Sequence, residues 1–303
     1  MNNKDCIVRQ QNNLAFKKKI KKPKWIKVKI ITDDYKINYM KSILRKNNLH
    51  SVCEEAQCPN LQECFNNGTV TFMILGAICT RKCPFCAVLK GRPLPPDENE
   101  PQKLTKMINK LKIKHIVLTS VTRDDLKDGG AQHFVKVIKK IRELKKNIIV
   151  EILVPDFKHC SELALSLLST FTPDIFNHNL ESVPRLYKIV RPGANYTRSL
   201  NLLKNFKQKN PKILTKSGIM LGLGETKEEI IDVIKDLSIH KVDMLTIGQY
   251  LQPSDMHLPV IRYLTPSEFL NIKKIALSFG FLNVFCSPFA RSSYHADQQC
   301  SIQ

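Results

Sequence analysis

The sequence predicts an α/β protein with a six-stranded parallel sheet, curled into a partial or complete barrel of the TIM type rather than open and doubly wound, although periodicity alone does not choose among these. Three observations carry that expectation. From residue 65 onward, apolar runs of strand length alternate with segments of helical periodicity. Six such repeats follow one another, which favours a parallel sheet with right-handed crossovers. No low-complexity linker interrupts residues 65–285, so a single domain is expected there.

The elements follow in order. Val70–Leu75, His115–Thr119, Ile148–Val154 and Asp174–Leu180 are short apolar runs that read as buried strands, as do Ile213–Leu221 and Met244–Leu251. Between and after them, Lys103–Leu111, Ala131–Leu144, Cys160–Leu168, Ser199–Phe206, Lys227–Leu237 and Pro266–Phe279 repeat apolar residues at helical spacing. Leu282–Phe285 is a candidate last strand before a polar tail. The boundaries expected are a basic N-terminal extension at 1–50, a cysteine motif at 51–66, the partial barrel at 67–285 and a tail at 286–303. The extension is expected to wrap on the barrel or to be partly disordered.

Composition narrows the class. The chain has 303 residues, 43% of them hydrophobic, which is too apolar for a disordered protein and long enough for a full core. No run approaches the 18 or so apolar residues of a membrane span. The Lys-rich start lacks the apolar segment of a secretory signal and the Arg- and Ser-rich make-up of a transit peptide. A cytoplasmic protein is expected. The net charge is +21. Residues 1–50 hold 14 basic side chains against Asp5, Asp33 and Asp34, so the arm carries +11 of that total. Such an arm suits an acidic partner, and compositional drift toward Lys, Asn and Ile explains it equally well.

Ten cysteines in such a chain do not suggest disulfides, because a reducing compartment keeps thiols free. Their spacing carries the information. Cys53, Cys58 and Cys64 form Cys-x4-Cys-x5-Cys, and Cys79, Cys83 and Cys86 form Cys-x3-Cys-x2-Cys. Cys6, Cys160, Cys286 and Cys300 stand alone; Cys160 and Cys286 read as small core residues. A structural zinc site closes with four protein ligands, whereas each triplet stops at three with no histidine inside it. Three thiolates on a cubane leave one iron open. The second triplet also follows the first strand, where barrels collect their chemistry.

With Cys-Pro-Phe-Cys at 83–86, the chain resembles the radical S-adenosylmethionine superfamily. The upstream run Cys-Glu-Glu-Ala-Gln-Cys-Pro-Asn-Leu-Gln-Glu-Cys (53–64) is similar to the auxiliary-cluster motif of the lipoyl synthase family. So are Ala77–Cys86, Arg123–Gln132 with its Asp-Gly-Gly, Phe176–Glu181, Gly222–Thr226 and Arg-Ser-Ser-Tyr-His-Ala (291–296). The likeness runs from about Pro23 to Ala296.

The resemblance implies two 4Fe-4S clusters and S-adenosylmethionine. Cys79, Cys83 and Cys86 would hold the cluster whose open iron binds S-adenosylmethionine. Cys53, Cys58 and Cys64, with Ser293 as fourth ligand, would hold an auxiliary cluster that donates sulfur and is consumed. Without the family, Ser292 and Ser293 would read as turn caps. The implied reaction inserts two sulfur atoms at the sixth and eighth carbons of a protein-bound octanoyl chain. The implied partners are octanoylated carrier domains of 2-oxoacid dehydrogenase subunits and the glycine-cleavage carrier protein, a flavodoxin- or ferredoxin-type electron donor, and iron–sulfur assembly factors. Neither nucleic acid nor membrane is expected. A radical enzyme that thiolates tRNA is the alternative, and a non-catalytic iron–sulfur scaffold a third. The compact first triplet, and the lack of room for a domain after residue 296, favour the lipoyl reading over tRNA.

Gly218, Gly222 and Glu225, near the end of a strand, and Asn179 and Glu181, ending another, are expected to border the S-adenosylmethionine pocket. Gly224, Asn177, His178, Arg191 and Gln249 are further candidates. A strand-to-helix turn with a helix-start Glu, or turn capping, accounts for the same residues. His295 reads as structural. Members of the family carry an acidic residue after the third cluster cysteine; here it is Ala87, which is expected to tune packing or the cluster's environment rather than abolish activity.

Overall fold

Each of the six predicted apolar runs contains a strand. The computed structural model describes residues 20–28 and 34–299. Its parallel strands are β2 (Thr71–Ile74), β5 (His115–Ser120), β6 (Ile149–Leu153), β7 (Ile175–Asn177), β8 (Leu214–Leu221), β9 (Met244–Gln249) and β10 (Asn283–Cys286). They pair in that order, with registers such as Phe72↔Leu118 and Gly218↔Thr246, and β1 (His50–Ser51) adds antiparallel to β2. Parallel neighbours require crossovers, and α4 (Glu100–Leu111), α5 (Ala131–Arg142), α6 (Ser161–Leu168), the short α7 (Tyr187–Val190) with α8 (Tyr196–Lys209), α9 (Lys227–Ile239) and α10 (Pro266–Ser278) supply them. The result is a partial barrel with described residues before β2 and after β10 packed on it.

The barrel exceeds the six expected strands by one. The Leu282–Phe285 segment is that seventh parallel strand, shifted by one residue and paired with β9 through Asn283↔Met244. The sequence offers it only as a candidate last strand, since four residues before a polar tail carry too little periodicity to count it among the six. β7 is shorter than its apolar run, because His178–Leu180 leave the ladder before Glu181 bridges to Ile219.

Helix ends follow local chemistry. Thr226 and Thr265 each accept an amide hydrogen bond from the glutamate three residues on, and Glu229 and Glu268 return the bond, so α9 and α10 begin with capping boxes. Phe176 on β7 stacks on Phe206 of α8 with centroids 3.8 Å apart, fastening helix to sheet.

Four elements went unpredicted near the first cysteines: α1 (Tyr35–Lys46), β1, α2 (Val52–Glu55) and α3 (Leu61–Asn66). α1 buries Ile37, Met40, Ile43 and Leu44 against the core, and the Trp25 indole donates to the Leu264 carbonyl at 3.1 Å. The described part of the N-terminal extension therefore wraps on the barrel. Residues 1–19, with Cys6, and Cys300 lie outside the described residues. No helix among the described residues is long and apolar enough to cross a membrane.

Candidate functional site

The Cys79–Cys86 triplet lies in the loop between β2 and α4. β3 (Ile78–Cys79) and β4 (Leu89–Lys90) pair in parallel and cinch that loop at its base. Leu75 enters it at φ +68, a conformation costly for leucine. It is held there by its neighbours. The Leu75 amide donates to the buried Glu100 carboxylate at 3.0 Å, which also meets His133 Nε2 at 2.6 Å, and the buried Arg123 donates to the Leu75 carbonyl. A side chain on Gly130 would strike Leu75, so glycine is required opposite it.

The rest of the loop is pinned to the strand ends. The Thr122 amide donates to Cys79 Sγ at 3.3 Å, and Arg81 pairs with both Asp124 and Asp156. Burial raises the Cys83 thiol pKa, and burial pushes that of Cys86 up to about 11, with Cys79 and Glu181 adding to both. Arg191 partly offsets the rise at Cys83. Such thiols are protonated at neutral pH, so a metal must displace their protons to bind.

The first triplet spans α2 and α3. The Ser51 hydroxyl caps α2 by accepting from the Cys53 amide at 3.1 Å, and the Cys58 amide donates to the Cys53 carbonyl at 3.0 Å. Burial pushes Cys64 up to about 12, with Cys53, Cys58 and Glu63 adding. Over this triplet folds the tail that follows β10. Asn60 Nδ2 donates to the Phe289 carbonyl at 2.8 Å, and Tyr294 donates its phenol to Glu63 at 2.9 Å. Gly248 on β9 makes the crossing feasible: a Cβ there would lie 2.1 Å from the Ala290 carbonyl.

Cys53, Cys58, Cys64, Arg291, Ser293 and Tyr294 line one small pocket, together with Asn60 and Thr69–Thr71. The two tail serines diverge. Ser292 donates to Asn179 Oδ1 at 2.9 Å, whereas Ser293 lines the thiol pocket. Among the described residues no three His, Cys, Asp or Glu side chains gather closely enough for a single metal ion. A four-iron cluster spreads its ligands around a larger body, and the three soft sulfur donors and one oxygen that line this pocket are a donor set such a group takes.

Between the triplets lies a half-buried charged seam. The half-buried Arg291 guanidinium feels both Cys58 and Glu181, and Glu181 in turn feels Cys83, Cys86 and the Arg191 guanidinium. Burial raises the Glu181 pKa, against Arg191, Asn179 and Arg291. Asn179 Nδ2 donates to Glu181 at 3.0 Å, and Arg191 donates to the Asn179 carbonyl at 2.8 Å. A Cβ on Gly218 would lie 2.8 Å from Asn179 Oδ1, so Gly218, Asn179 and Glu181 adjoin one another.

The other candidates are occupied with the fold. Glu225 accepts from the Gly222 and Leu223 amides at 2.6 and 2.9 Å, closing the turn after β8. The space beside Gly222 is filled by Gln249 and the Arg262 carbonyl, and both ends of the Gln249 amide bond to backbone. The buried His178 bonds Val154 O through Nδ1 and the Ser199 hydroxyl through Nε2. His295 lies 3.3 Å from Glu63, and Cys286 donates to the Phe269 carbonyl. Sequence reasoning overlooked Gly248, Asp156, Glu151 and Lys216. The last two carried a signal, as charges inside otherwise apolar strand runs.

This fold and these two thiol sets define a radical S-adenosylmethionine protein, and residues 73–237 match the Radical SAM superfamily model. The crystal structure of Streptococcus suis SuiB bound to precursor peptide SuiA has the same fold (TM-score 0.55, 11% identity, 93% of this chain and 60% of that one). TYW1 with a lysine-pyruvate adduct is similar too (TM-score 0.52, 16% identity, 80% and 90%). Lipoyl synthase of Buchnera aphidicola subsp. Cinara cedri is 64% identical over 280 residues, 92% of this chain and 90% of its own. That of Vibrio parahaemolyticus is 60% identical over 283 residues, 93% and 88%. The chain belongs to the lipoyl synthase family.

Proposed function

We propose that Cys79, Cys83 and Cys86 hold the cluster that binds S-adenosylmethionine, and that Cys53, Cys58, Cys64 and Ser293 hold the auxiliary one. The activity is that of a lipoyl synthase, with two 4Fe-4S clusters and S-adenosylmethionine as cofactors. When bound, these groups supply a radical able to take hydrogen from unactivated carbon, and the sulfur inserted at the sixth and eighth positions of an octanoyl chain.

The protein's own residues position and shield. Glu181 and Asn179 present polar atoms beside Gly218, which supports their assignment to the S-adenosylmethionine pocket. Gly222 and Glu225 shape the adjoining rim through their turn. Arg291 and Arg191 place cations against two sets of thiolates, limiting the repulsion between them. A hard oxygen on iron is a weaker partner than thiolate, which suits a cluster that must come apart. Octanoylated carrier domains are the substrates. We further assign a flavodoxin- or ferredoxin-type electron donor, iron–sulfur assembly factors as partners, and a cytoplasmic location consistent with clustered free thiols.

The observation that carries this reading is the pocket joining three cysteines before the barrel to a serine after it. Its test is mass spectrometry of an octanoylated carrier incubated anaerobically with reconstituted protein, S-adenosylmethionine and reductant. The carrier is expected to gain two sulfurs. Ser293→Ala is expected to keep deoxyadenosine formation and lose most of the lipoyl product; product at the wild-type rate would remove Ser293 from the ligand set.

A further inference from the structure

Two charged residues stand inside the barrel where the strands should be apolar. Glu151 on β6 and Lys216 on β8 are both fully buried. Lys216 Nζ lies 3.1 and 3.4 Å from the two Glu151 carboxylate oxygens, and Asn177 Nδ2 donates to the same carboxylate at 2.8 Å. His115 Nε2 sits further off, 3.7 Å away. A buried ion pair is weak evidence for stability, since an apolar pair of similar volume is often as stable. Its retention calls for another reason.

The third contact of the ammonium supplies one. Lys216 Nζ donates to the Ser292 carbonyl at 2.6 Å, its shortest bond, across 76 residues of sequence. Ser292 is gripped at its other end as well, because its hydroxyl donates to Asn179 beyond β7. The barrel interior thus reaches out and holds one tail residue at both carbonyl and hydroxyl. The next residue is Ser293. An ammonium suits this task, with three donors to divide between a carboxylate and a carbonyl, and Glu151 lies against it on the neighbouring side of the barrel interior.

We infer that Lys216, held by Glu151, is a positioning residue that sets the tail so that Ser293 Oγ faces Cys53, Cys58 and Cys64. The inference rests on the assignment of Ser293 as the fourth ligand. It makes the barrel core, rather than the tail's own turn, responsible for bringing oxygen to the auxiliary site.

Lys216→Ala alone is a poor probe, because stranding a buried carboxylate threatens the fold. The full-length double variant Lys216→Met/Glu151→Gln removes both charges at near-constant volume and deletes the bond to Ser292. It is to be made in a Cys79→Ala/Cys83→Ala/Cys86→Ala background, so that only the auxiliary cluster is reconstituted. Melting temperature reports the fold, and electron paramagnetic resonance of the reduced protein reports the ligand set. The expected result is a folded protein whose spectrum departs from the parent's and coincides with that of Ser293→Ala in the same background. With the second triplet restored, lipoyl product should fall by about tenfold or more while deoxyadenosine formation continues. A parent-like spectrum for the double variant, where Ser293→Ala is shifted, overturns the role of Lys216. Parent-like spectra for both overturn the Ser293 assignment itself.

Discussion

At single residues, the chemistry turns on where a small or polar group is tolerated. Gly248 is a case of space: any Cβ would sit 2.1 Å from a backbone carbonyl that cannot swing aside. Gly248→Ala is expected to destabilise the protein by about 1–3 kcal/mol, the usual range for overpacking. It should also lower the iron retained by the Cys53–Cys64 triplet, since the displaced tail carries Ser293; thermal melts and iron analysis check both. His178 is a case of charge. Burial, with Arg191 opposing a second positive charge, lowers its pKa to about 4, so the folded imidazole stays neutral where the unfolded one takes up a proton near pH 6.5. The stability it protects is complete above pH 6.5 and drains as the pH falls toward 4, by about 3 kcal/mol in full. His178→Gln should flatten that part of the pH dependence, read as melting temperature between pH 7 and 4.5. An unchanged slope would show that other groups govern it.

At the scale of elements, the two triplets occupy unlike supports. One rides on the loop between β2 and α4, pinned by Thr122 and Arg81 to the strand ends. The other rides on the short helices α2 and α3, which a remote tail covers. Their losses should therefore separate. Replacing Cys79, Cys83 or Cys86 with Ala is expected to abolish deoxyadenosine formation. Replacing Cys53, Cys58 or Cys64 is expected to retain some of it while ending sulfur insertion. Chromatography of deoxyadenosine beside mass analysis of the carrier distinguishes the two. Lipoyl product from a first-triplet variant would refute the donor assignment.

Across the whole molecule, the dominant long-range property is charge, +21 over the chain with about half of it before residue 51. If that arm steers an acidic carrier, association should weaken as salt rises, because exposed charges are screened beyond about 8 Å at physiological ionic strength. Deleting residues 1–22 should then slow carrier binding more than it slows product formation at saturating carrier. Binding that ignores salt would assign the charge to composition alone.

The sequence by itself determined the strand–helix alternation, because buried strands and amphipathic helices write their periods locally. It also determined the two sulfur sets, because ligands on one loop or adjacent turns must lie close in the chain. Ser293 was legible only through its motif, and residue spacing said nothing of what it faces. The tertiary structure decided that. It brought Asn60 to Phe289 and Glu63 to Tyr294, pairs 229 and 231 residues apart, and it separated Ser292 from its neighbour Ser293. It also set Lys216 between Glu151 and the Ser292 carbonyl, a contact that two odd charges in apolar runs only hinted at. Such contacts depend on how the sheet curls, so that the segment after its last strand reaches the short helices before its first parallel one. That curvature is set by packing between elements, and no local pattern of residues records it.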